Sequence, residues 1–462
     1  MLGYALSRGT TEAMLGIRGV LLAALLGPAA FGTWALLRMV MRYSALTGAS
    51  VYRGLELELL RPGADQHERT RDSPAPTALG FVLLVSGGIA GLALAASFFT
   101  PDPSNRLLLR GFAAASLAEA LYGYGLVCTR VRGNLRVYSY LESGTSVLHV
   151  IFAVGLASTW GLAGAFAGLT LANLIGIAAA SRWLEIRPAF HWKPLKRLLH
   201  VGLPMVFTLT VAILLSTGDR WLVAFWGGQT MLGYYAFAGS LTTAAGALAL
   251  VVRTVVFPQV YGDVVHAGSA SALQGHLERA LLPYARLLPP LLGAASLLLA
   301  PVVAVAMPKY VEAIAPARLF LLAGAAIGLV NLASVGAVAA GRQRQLPVYA
   351  LSALALTLGL SAVALSIRPS LGGVAGATFA GHILFAALVL RLNVREAGIP
   401  QAERFVWRTL LPLIWCTAAV SLTGLLFPRT DATAASLSFA VYLLLLLPLV
   451  PAWREEFRRL SS

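Results

Sequence analysis

Long apolar stretches occupy most of this 462-residue chain. A helix needs about 20 predominantly apolar residues to cross the hydrocarbon core of a bilayer. Hydrophobic residues make up 58% of the sequence and charged residues 12%, whereas soluble domains average about 45–50% and about 25%. The sequence therefore predicts an all-α integral membrane protein with about 14 transmembrane helices. These helices are expected near 6–26, 30–50, 77–99, 107–127, 138–158, 161–181, 203–225, 232–256, 281–305, 314–340, 346–366, 371–392, 408–427 and 433–453.

Basic residues collect in every second gap between the apolar stretches. Arg69 and Arg71 follow the second stretch and Arg130 follows the fourth, whereas the alternate gaps are nearly free of them. The positive-inside rule then predicts a multi-pass protein of the inner (cytoplasmic) membrane with both termini in the cytosol. The formal net charge is +16. Because this excess lies in short loops beside anionic headgroups, we expect membrane lipid as a partner and no nucleic acid.

Sequence signatures of catalysis are absent. The chain contains no H-E-x-x-H, C-x-x-C or G-x-S-x-G motif, and each of these would bring a metal, a redox pair or a nucleophile. Its three lysines do not follow a glycine, as a P-loop lysine must. Cys128 lies at the end of one predicted helix and Cys416 within another, which favours neither a disulfide nor a metal site. We therefore expect a protein that is not an enzyme and binds no cofactor.

A short pattern recurs at an offset of 201 residues. Gly27 corresponds to Gly228, and Trp34 corresponds to the aromatic Tyr235. Each pattern is expected to be a tight turn in which glycine caps one helix and an interfacial aromatic residue anchors the next. Matching loop lengths extend the repeat and predict two six-helix lobes of the same orientation, as in transporters that work by alternating access.

The repeat divides the chain into four predicted parts. They are an N-terminal six-helix lobe at 1–181, a cytosolic linker at 182–202, a C-terminal six-helix lobe at 203–393, and two additional transmembrane helices with a cytosolic tail at 394–462.

Three stretches carry a resemblance to a known family. LLGPAAFGTWALLRMVMRYSALTGASVYRGLE at 25–56, STGDRWLVAFWGGQTMLGYYAFAGSL at 216–241 and VVFPQVY at 255–261 resemble the polysaccharide-transport branch of the multidrug/oligosaccharidyl-lipid/polysaccharide exporters, which contains the O-antigen flippases. The resemblance implies export of an oligosaccharide linked to a polyprenyl pyrophosphate, by alternating access, for surface polysaccharide or lipopolysaccharide assembly. It also implies functional association with a glycan polymerase and glycosyltransferases.

Arginines within the predicted helices are the first candidate site. Charged side chains at bilayer depth are costly, and they usually face a cavity or a charged partner. Arg18 lies in the first predicted helix, and Arg38 and Arg42 lie one turn apart in the second. A guanidinium fork matches phosphate geometry and keeps its charge. The sequence predicts a basic wall that binds pyrophosphate and faces a water-filled space between the lobes. Alternatively, Arg42 extends to the cytosolic interface and Arg18 pairs with a carboxylate.

Asp219, Arg220 and Glu119 are the second group of intramembrane charges. Neighbours in a helix point about 100° apart, so Asp219 and Arg220 should not pair with each other. Asp219 is expected either to bind a coupling proton or cation or to form an ion pair with another helix. Glu119 is expected to pair with Arg18 or Arg38, or to titrate during transport.

Other polar and aromatic residues have structural explanations. We expect His149, Asn173 and His382 to form hydrogen bonds between helices. Trp226 and Tyr235 are expected in the aromatic belt near the periplasmic boundary.

Other functions remain open from the sequence. A drug or cation antiporter of the same superfamily should favour intramembrane carboxylates, whereas the charges in the first two predicted helices are mainly basic. A membrane-embedded glycan polymerase needs a sizeable extramembrane loop or a cluster of acids, and neither is visible. A twelve-helix sugar facilitator should carry a central basic loop and a Gly-Asp-Arg-type motif after the second helix, and this sequence lacks both.

Overall fold

The computed structural model describes residues 2–59, 74–131, 135–184, 187–267, 270–427 and 431–454. Within these ranges the chain is helical with short connections and has no β-strand. The helices are α1 (Leu2–Leu59), α2 (Pro74–Phe99), α3 (Pro103–Val131), α4 (Leu135–Ala180), α5 (Trp192–Ala267), α6 (Ala270–His276), α7 (Leu282–Ala306), α8 (Ile314–Ala339), α9 (Leu346–Ile367), α10 (Leu371–Glu396), α11 (Ala402–Leu426) and α12 (Ala432–Leu445).

In the described part of the chain, eleven helical segments are long and apolar enough to cross a membrane. Large apolar side chains point away from the protein on these segments: Leu84, Leu92 and Phe99 expose 63%, 74% and 87% of their surface. Such surface is tolerated where lipid rather than water surrounds the helix. The predicted multi-pass, all-α membrane protein is confirmed.

Three of the long helices contain a break in their helical backbone. Gly27 in α1 and Gly228 in α5 have φ angles of +74° and +69°, and Trp160 and Gly161 interrupt α4. Positive φ is accessible to glycine at little cost because it has no Cβ. We call the residues on either side of each break the first and second limbs of the helix.

The chain reverses direction at the breaks in α1 and α4. In a continuous helix, residues 16 positions apart would be separated by about 24 Å. Yet the Arg18 guanidinium carbon lies 5.9 Å from the centroid of the Trp34 ring in α1. In α4, His149 and Asn173 form a hydrogen bond of 2.9 Å across the break. Each of these helices is therefore a hairpin of two antiparallel limbs, and the bond between His149 and Asn173 is the inter-helix bond expected from the sequence.

The α5 helix reverses in the same way at Gly228. Tyr235 on its second limb donates a hydrogen bond of 2.5 Å to Asp219 on its first limb, which a continuous helix would not allow. The eleven spanning segments thus include three hairpins. The total of fourteen membrane crossings stays a prediction.

The chain forms two compact units, residues 1–212 and residues 213–462. The division falls within the first limb of α5. The linker predicted at 182–202 contains the beginning of that helix, which starts at Trp192. In the second unit, α11 and α12 pack on α7. The four predicted parts and the repeat that motivates them remain predictions.

Two glycines bring backbones into direct contact in the first unit. A Cβ at Gly54, on the second limb of α1, would overlap the carbonyl group of Leu198 in α5. A Cβ at Gly202 in α5 would overlap the carbonyl group of Ser50. Small residues allow helices to approach this closely inside a membrane, where packing rather than the hydrophobic effect holds them together.

Side chains from the C-terminal helices complete the backbone hydrogen bonding of α7. Pro290 lacks the N–H that would bond the carbonyl of Arg286, and the Trp453 indole donates to this carbonyl instead, at 2.9 Å. Tyr442 donates to the carbonyl of Pro290 at 3.1 Å. These bonds fix α12 and the residues that follow it to α7.

We expect Gly54→Ala and Gly202→Ala to lower the melting temperature of the purified protein, because overpacking at a close contact costs about 1–3 kcal/mol. Gly91→Ala is the matched control, because a Cβ at Gly91 in α2 meets open space. Like the other two substitutions, Gly91→Ala replaces glycine by a better helix former, so it should leave the melting temperature unchanged or slightly raised. Equal behaviour of all three variants would contradict the close contact.

Candidate functional site

The two limbs of α1 bring Arg18 and Arg38 to one tryptophan. Their guanidinium carbons lie 5.9 Å and 6.0 Å from the centroid of the Trp34 ring. The ring is buried and packs against Phe166 of α4, with centroids 4.7 Å apart. A cation over an aromatic face is attracted by the ring quadrupole, more strongly where water is excluded. Trp34 therefore holds two positive charges close together in the first unit.

Glu119 of α3 neutralises one of these charges. Nη1 of Arg38 pairs with Oε2 of Glu119, and Nη2 donates to Oε1 at 3.4 Å, so both arms of the guanidinium meet the carboxylate. The side chains of Arg38 and Glu119 remain 25% and 32% exposed. The pairing of Glu119 with Arg38, one of the expected alternatives, is observed. Arg18, Arg38 and Glu119 together carry a net charge of +1.

The binding of pyrophosphate by a wall of Arg18, Arg38 and Arg42 stays a prediction. Arg18 is buried and Arg38 is half-buried beside Glu119, whereas Arg42 is exposed on the next turn of α1. The cluster thus holds two arginines and one acid. Two neighbouring guanidinium groups at bilayer depth need a counter-charge, and Glu119 supplies it.

Asp219 lies at the centre of a second cluster, in the unit formed by residues 213–462. It is 1% exposed and accepts hydrogen bonds from the hydroxyl groups of Tyr235 and Thr378 at 2.5 and 2.6 Å. The backbone N–H of Arg220 donates to its other oxygen at 2.8 Å. In the described part of the chain, the partners of Asp219 are therefore hydroxyl and amide groups, and the expected ion pair with another helix is not what holds it.

Arg220 and Tyr235 take positions that the sequence did not indicate. The Arg220 guanidinium fills the space beside Gly239, where a Cβ would lie 2.6 Å from its Nη2. Tyr235 is fully buried, so its assignment to the aromatic belt was wrong. His382 also differs, because its Nδ1 bonds the carbonyl of Thr378 within α10 rather than another helix.

The hairpins of α1 and α5 share a local geometry. Gly27 and Gly228 have similar backbone angles, with φ/ψ of 74°/171° and 69°/−168°. In each hairpin a charged residue before the glycine contacts an aromatic residue after the glycine. Arg18 contacts Trp34 in α1, and Asp219 contacts Tyr235 in α5. At the offset of 201 residues Arg18 corresponds to Asp219, so this position holds a base in one hairpin and an acid in the other.

Solved transporters share this fold. The chain superposes on the lipid II flippase MurJ in an inward closed conformation with a TM-score of 0.71 and 14% identity, over 98% of this chain and 99% of that one. An inward-facing multidrug resistance MATE family transporter of the MOP superfamily gives a TM-score of 0.61 and 15% identity, over 91% and 94%. The Vibrio cholerae MATE transporter VcmN in its bent form gives 0.51 and 17%, over 89% and 98%. At these identities the likeness shows the fold alone.

The chain is thus a polytopic membrane protein with the fold of MurJ and of MATE transporters. Residues 21–305, more than half of the chain, match the family described as "Polysaccharide biosynthesis protein". The chain belongs to this family, and the resemblance seen in its sequence is confirmed. No curated protein sequence matches it.

We expect Tyr235→Phe to lower the stability of the purified protein by about 1–3 kcal/mol, because it takes a donor from a buried carboxylate. Tyr234→Phe is the matched control, since Tyr234 contacts the ring of Tyr310 edge-on and does not bond Asp219. Thermal unfolding of both variants measures the difference. A Tyr235→Phe protein as stable as Tyr234→Phe would show that the hydroxyl does not support Asp219.

Proposed function

We propose that this protein is a flippase that exports an oligosaccharide linked to a polyprenyl pyrophosphate across the cytoplasmic membrane, for surface polysaccharide or lipopolysaccharide assembly. Membership of a polysaccharide biosynthesis family and a fold shared with a lipid II flippase support the class of substrate. The observation that carries the proposal is the cluster of Arg18, Arg38 and Glu119 around Trp34.

Pyrophosphate binds this cluster by exchange with Glu119. The two arms of Arg38 already hold two carboxylate oxygens, and phosphate oxygens present the same bidentate geometry. The incoming pyrophosphate displaces the carboxylate, and Arg18 adds a second positive charge. When the lipid leaves, Glu119 returns to Arg38, so the empty site never leaves that arginine uncompensated within the membrane.

The transport cycle follows from the predicted architecture. Fourteen spans form two six-helix lobes and two additional helices, with both termini in the cytosol, and the lobes open alternately to the two sides of the membrane. Export of an anion is favoured by the membrane potential, by about 2.3 kcal/mol per charge per 100 mV. Asp219 is the proposed coupling group, because a proton or cation at this carboxylate would change its bonds to Tyr235 and Thr378.

A drug or cation antiporter is the second candidate function, since MATE transporters share the fold. The basic cluster of the first unit argues against it, because two arginines and one acid repel a cation rather than attract it. A glycan polymerase has less support, because the similar solved structures are transporters. A glycan polymerase and glycosyltransferases remain proposed as functional partners that use or supply the lipid-linked glycan.

We expect Arg38→Ala to abolish export of surface glycan in cells while membrane insertion is unchanged. Arg38→Lys should restore only part of the export, because an ammonium group keeps the charge but loses the planar fork. Arg110→Ala is the matched control, since Arg110 lies over the ring of Phe98 outside the cluster. Surface glycan and the amount of protein in the membrane are measured for each variant.

A double variant separates substrate binding from neutralisation of Glu119. If Arg38 binds pyrophosphate, Arg38→Ala combined with Glu119→Ala stays inactive, because the fork is still missing. If Arg38 serves only to neutralise the acid, removing both charges restores export. Restored export in the double variant would contradict the proposed pyrophosphate site.

A further inference from the structure

A cavity of about 220 Å³ lies next to the arginine cluster. It opens between the second limb of α1, α2 and α3, all within the first unit. Apolar groups form most of its wall, among them Met41, Val82, Val85 and Ala120. Two glycines, Gly48 and Gly123, also line the cavity, and their lack of side chains leaves room for a ligand.

The hydroxyl groups in this wall are already engaged. Those of three serines bond carbonyls one turn back on their own helices, at 2.6 to 2.8 Å. Those of two tyrosines bond the carbonyls of Ala120 and Leu141 at 2.7 and 3.1 Å. Their donor hydrogens therefore face backbone rather than the cavity, and these hydroxyls can offer a ligand only acceptor oxygens. The residues concerned are Ser44, Ser86, Ser116, Tyr52 and Tyr122.

Glu119 is the charged residue of the cavity lining. Its carboxylate is paired with Arg38. Nη1 of Arg38 also lies 3.7 Å from Sδ of Met41, another residue of the wall. The guanidinium is thus held at the rim of an apolar pocket. A ligand that fits has an anionic group joined directly to hydrocarbon.

We propose that this cavity binds the isoprene units adjacent to the pyrophosphate of the lipid carrier. The inference rests on the proposed function, in which Arg38 binds the pyrophosphate. A cavity of about 150 Å³ accommodates benzene, so about 220 Å³ accepts one to two five-carbon isoprene units. The glycan does not suit this wall, because the mainly apolar lining offers too few hydrogen-bond partners for the many hydroxyls of a sugar.

Shape rather than the hydrophobic effect selects the prenyl group. A prenyl chain in the bilayer is already surrounded by hydrocarbon, so moving it into the cavity gains little from removal of water. The gain comes from close contacts with the wall and from fixing the chain so that the pyrophosphate meets Arg38. Filling the cavity with a side chain should therefore weaken binding of the prenyl group without changing any charge.

The test is to titrate ligands against the full-length protein in lipid nanodiscs by calorimetry. A Cβ at Gly48 meets Val82 and Tyr52 no closer than 3.5 Å, so the backbone tolerates a side chain and Gly48→Leu fills the space. Gly123→Leu fills it from α3. Gly88→Leu is the control, because Gly88 is exposed on α2 and its Cβ position is open.

Farnesyl pyrophosphate and inorganic pyrophosphate are compared as ligands. Gly48→Leu and Gly123→Leu should each lower the affinity for farnesyl pyrophosphate about tenfold, the effect expected when a ligand group is overpacked. The affinity for inorganic pyrophosphate should stay unchanged. Gly88→Leu should bind both ligands with the affinity of the wild type. Arg38→Ala should lower the affinity for both ligands. Melting temperatures confirm that each variant is folded, and failure of one glycine variant to fold leaves the other as the test.

The outcomes separate this inference from the proposed function. If both cavity variants bind farnesyl pyrophosphate like the wild type while Arg38→Ala does not, the prenyl site is wrong and the pyrophosphate site stands. If Arg38→Ala binds both ligands normally, the pyrophosphate site is wrong. Tetraphenylphosphonium that binds the wild type, competes with farnesyl pyrophosphate and loses affinity with Glu119→Gln would overturn the inference in favour of a cation site.

Discussion

The bidentate ion pair between Arg38 and Glu119 is the interaction on which this account depends. A single charge within the hydrocarbon layer is costly, whereas a paired one can be held there. Both side chains remain partly exposed, and in the proposed function a phosphate takes the place of the carboxylate while the protein stays folded. The proposal places the phosphate there because a phosphate presents the guanidinium fork with the same bidentate geometry as a carboxylate. In that proposal the pair stabilises the empty site, and Arg38 binds the substrate in the loaded one.

Helical hairpins put these charges in place. The turn at Gly27 returns the chain so that Arg18 and Trp34 meet, and the turn at Gly228 brings Asp219 to Tyr235. The limb before the first turn contributes the base Arg18, and the limb before the second contributes the acid Asp219. At the offset of 201 residues Arg18 corresponds to Asp219, so the proposed anion site and the proposed coupling group share one position of the predicted repeat. In the proposed function, the same hairpin geometry therefore serves two roles.

Much of this structure was predictable from periodicity and charge. Intramembrane charges are few enough that Arg18, Arg38, Glu119 and Asp219 stand out as candidates, and Gly27 marks its turn. The partners of Asp219 were not predictable. From the sequence Tyr235 is expected in the aromatic belt, and Thr378 comes from a distant helix, so only tertiary packing brings both to Asp219. The cavity could not be predicted either, because Gly48 and Gly123 lie on different helices and appear in the sequence as ordinary small residues.

Flipping by the purified protein tests the central claim most directly. Liposomes with the protein are loaded with a fluorescent polyprenyl-pyrophosphate glycan, and a membrane-impermeant quencher reports how fast the lipid changes leaflets. The account predicts that the wild type accelerates movement of this lipid but not of a labelled phosphatidylcholine, and that Arg38→Ala moves neither. Equal acceleration of both lipids, or a wild-type rate for Arg38→Ala, would contradict it.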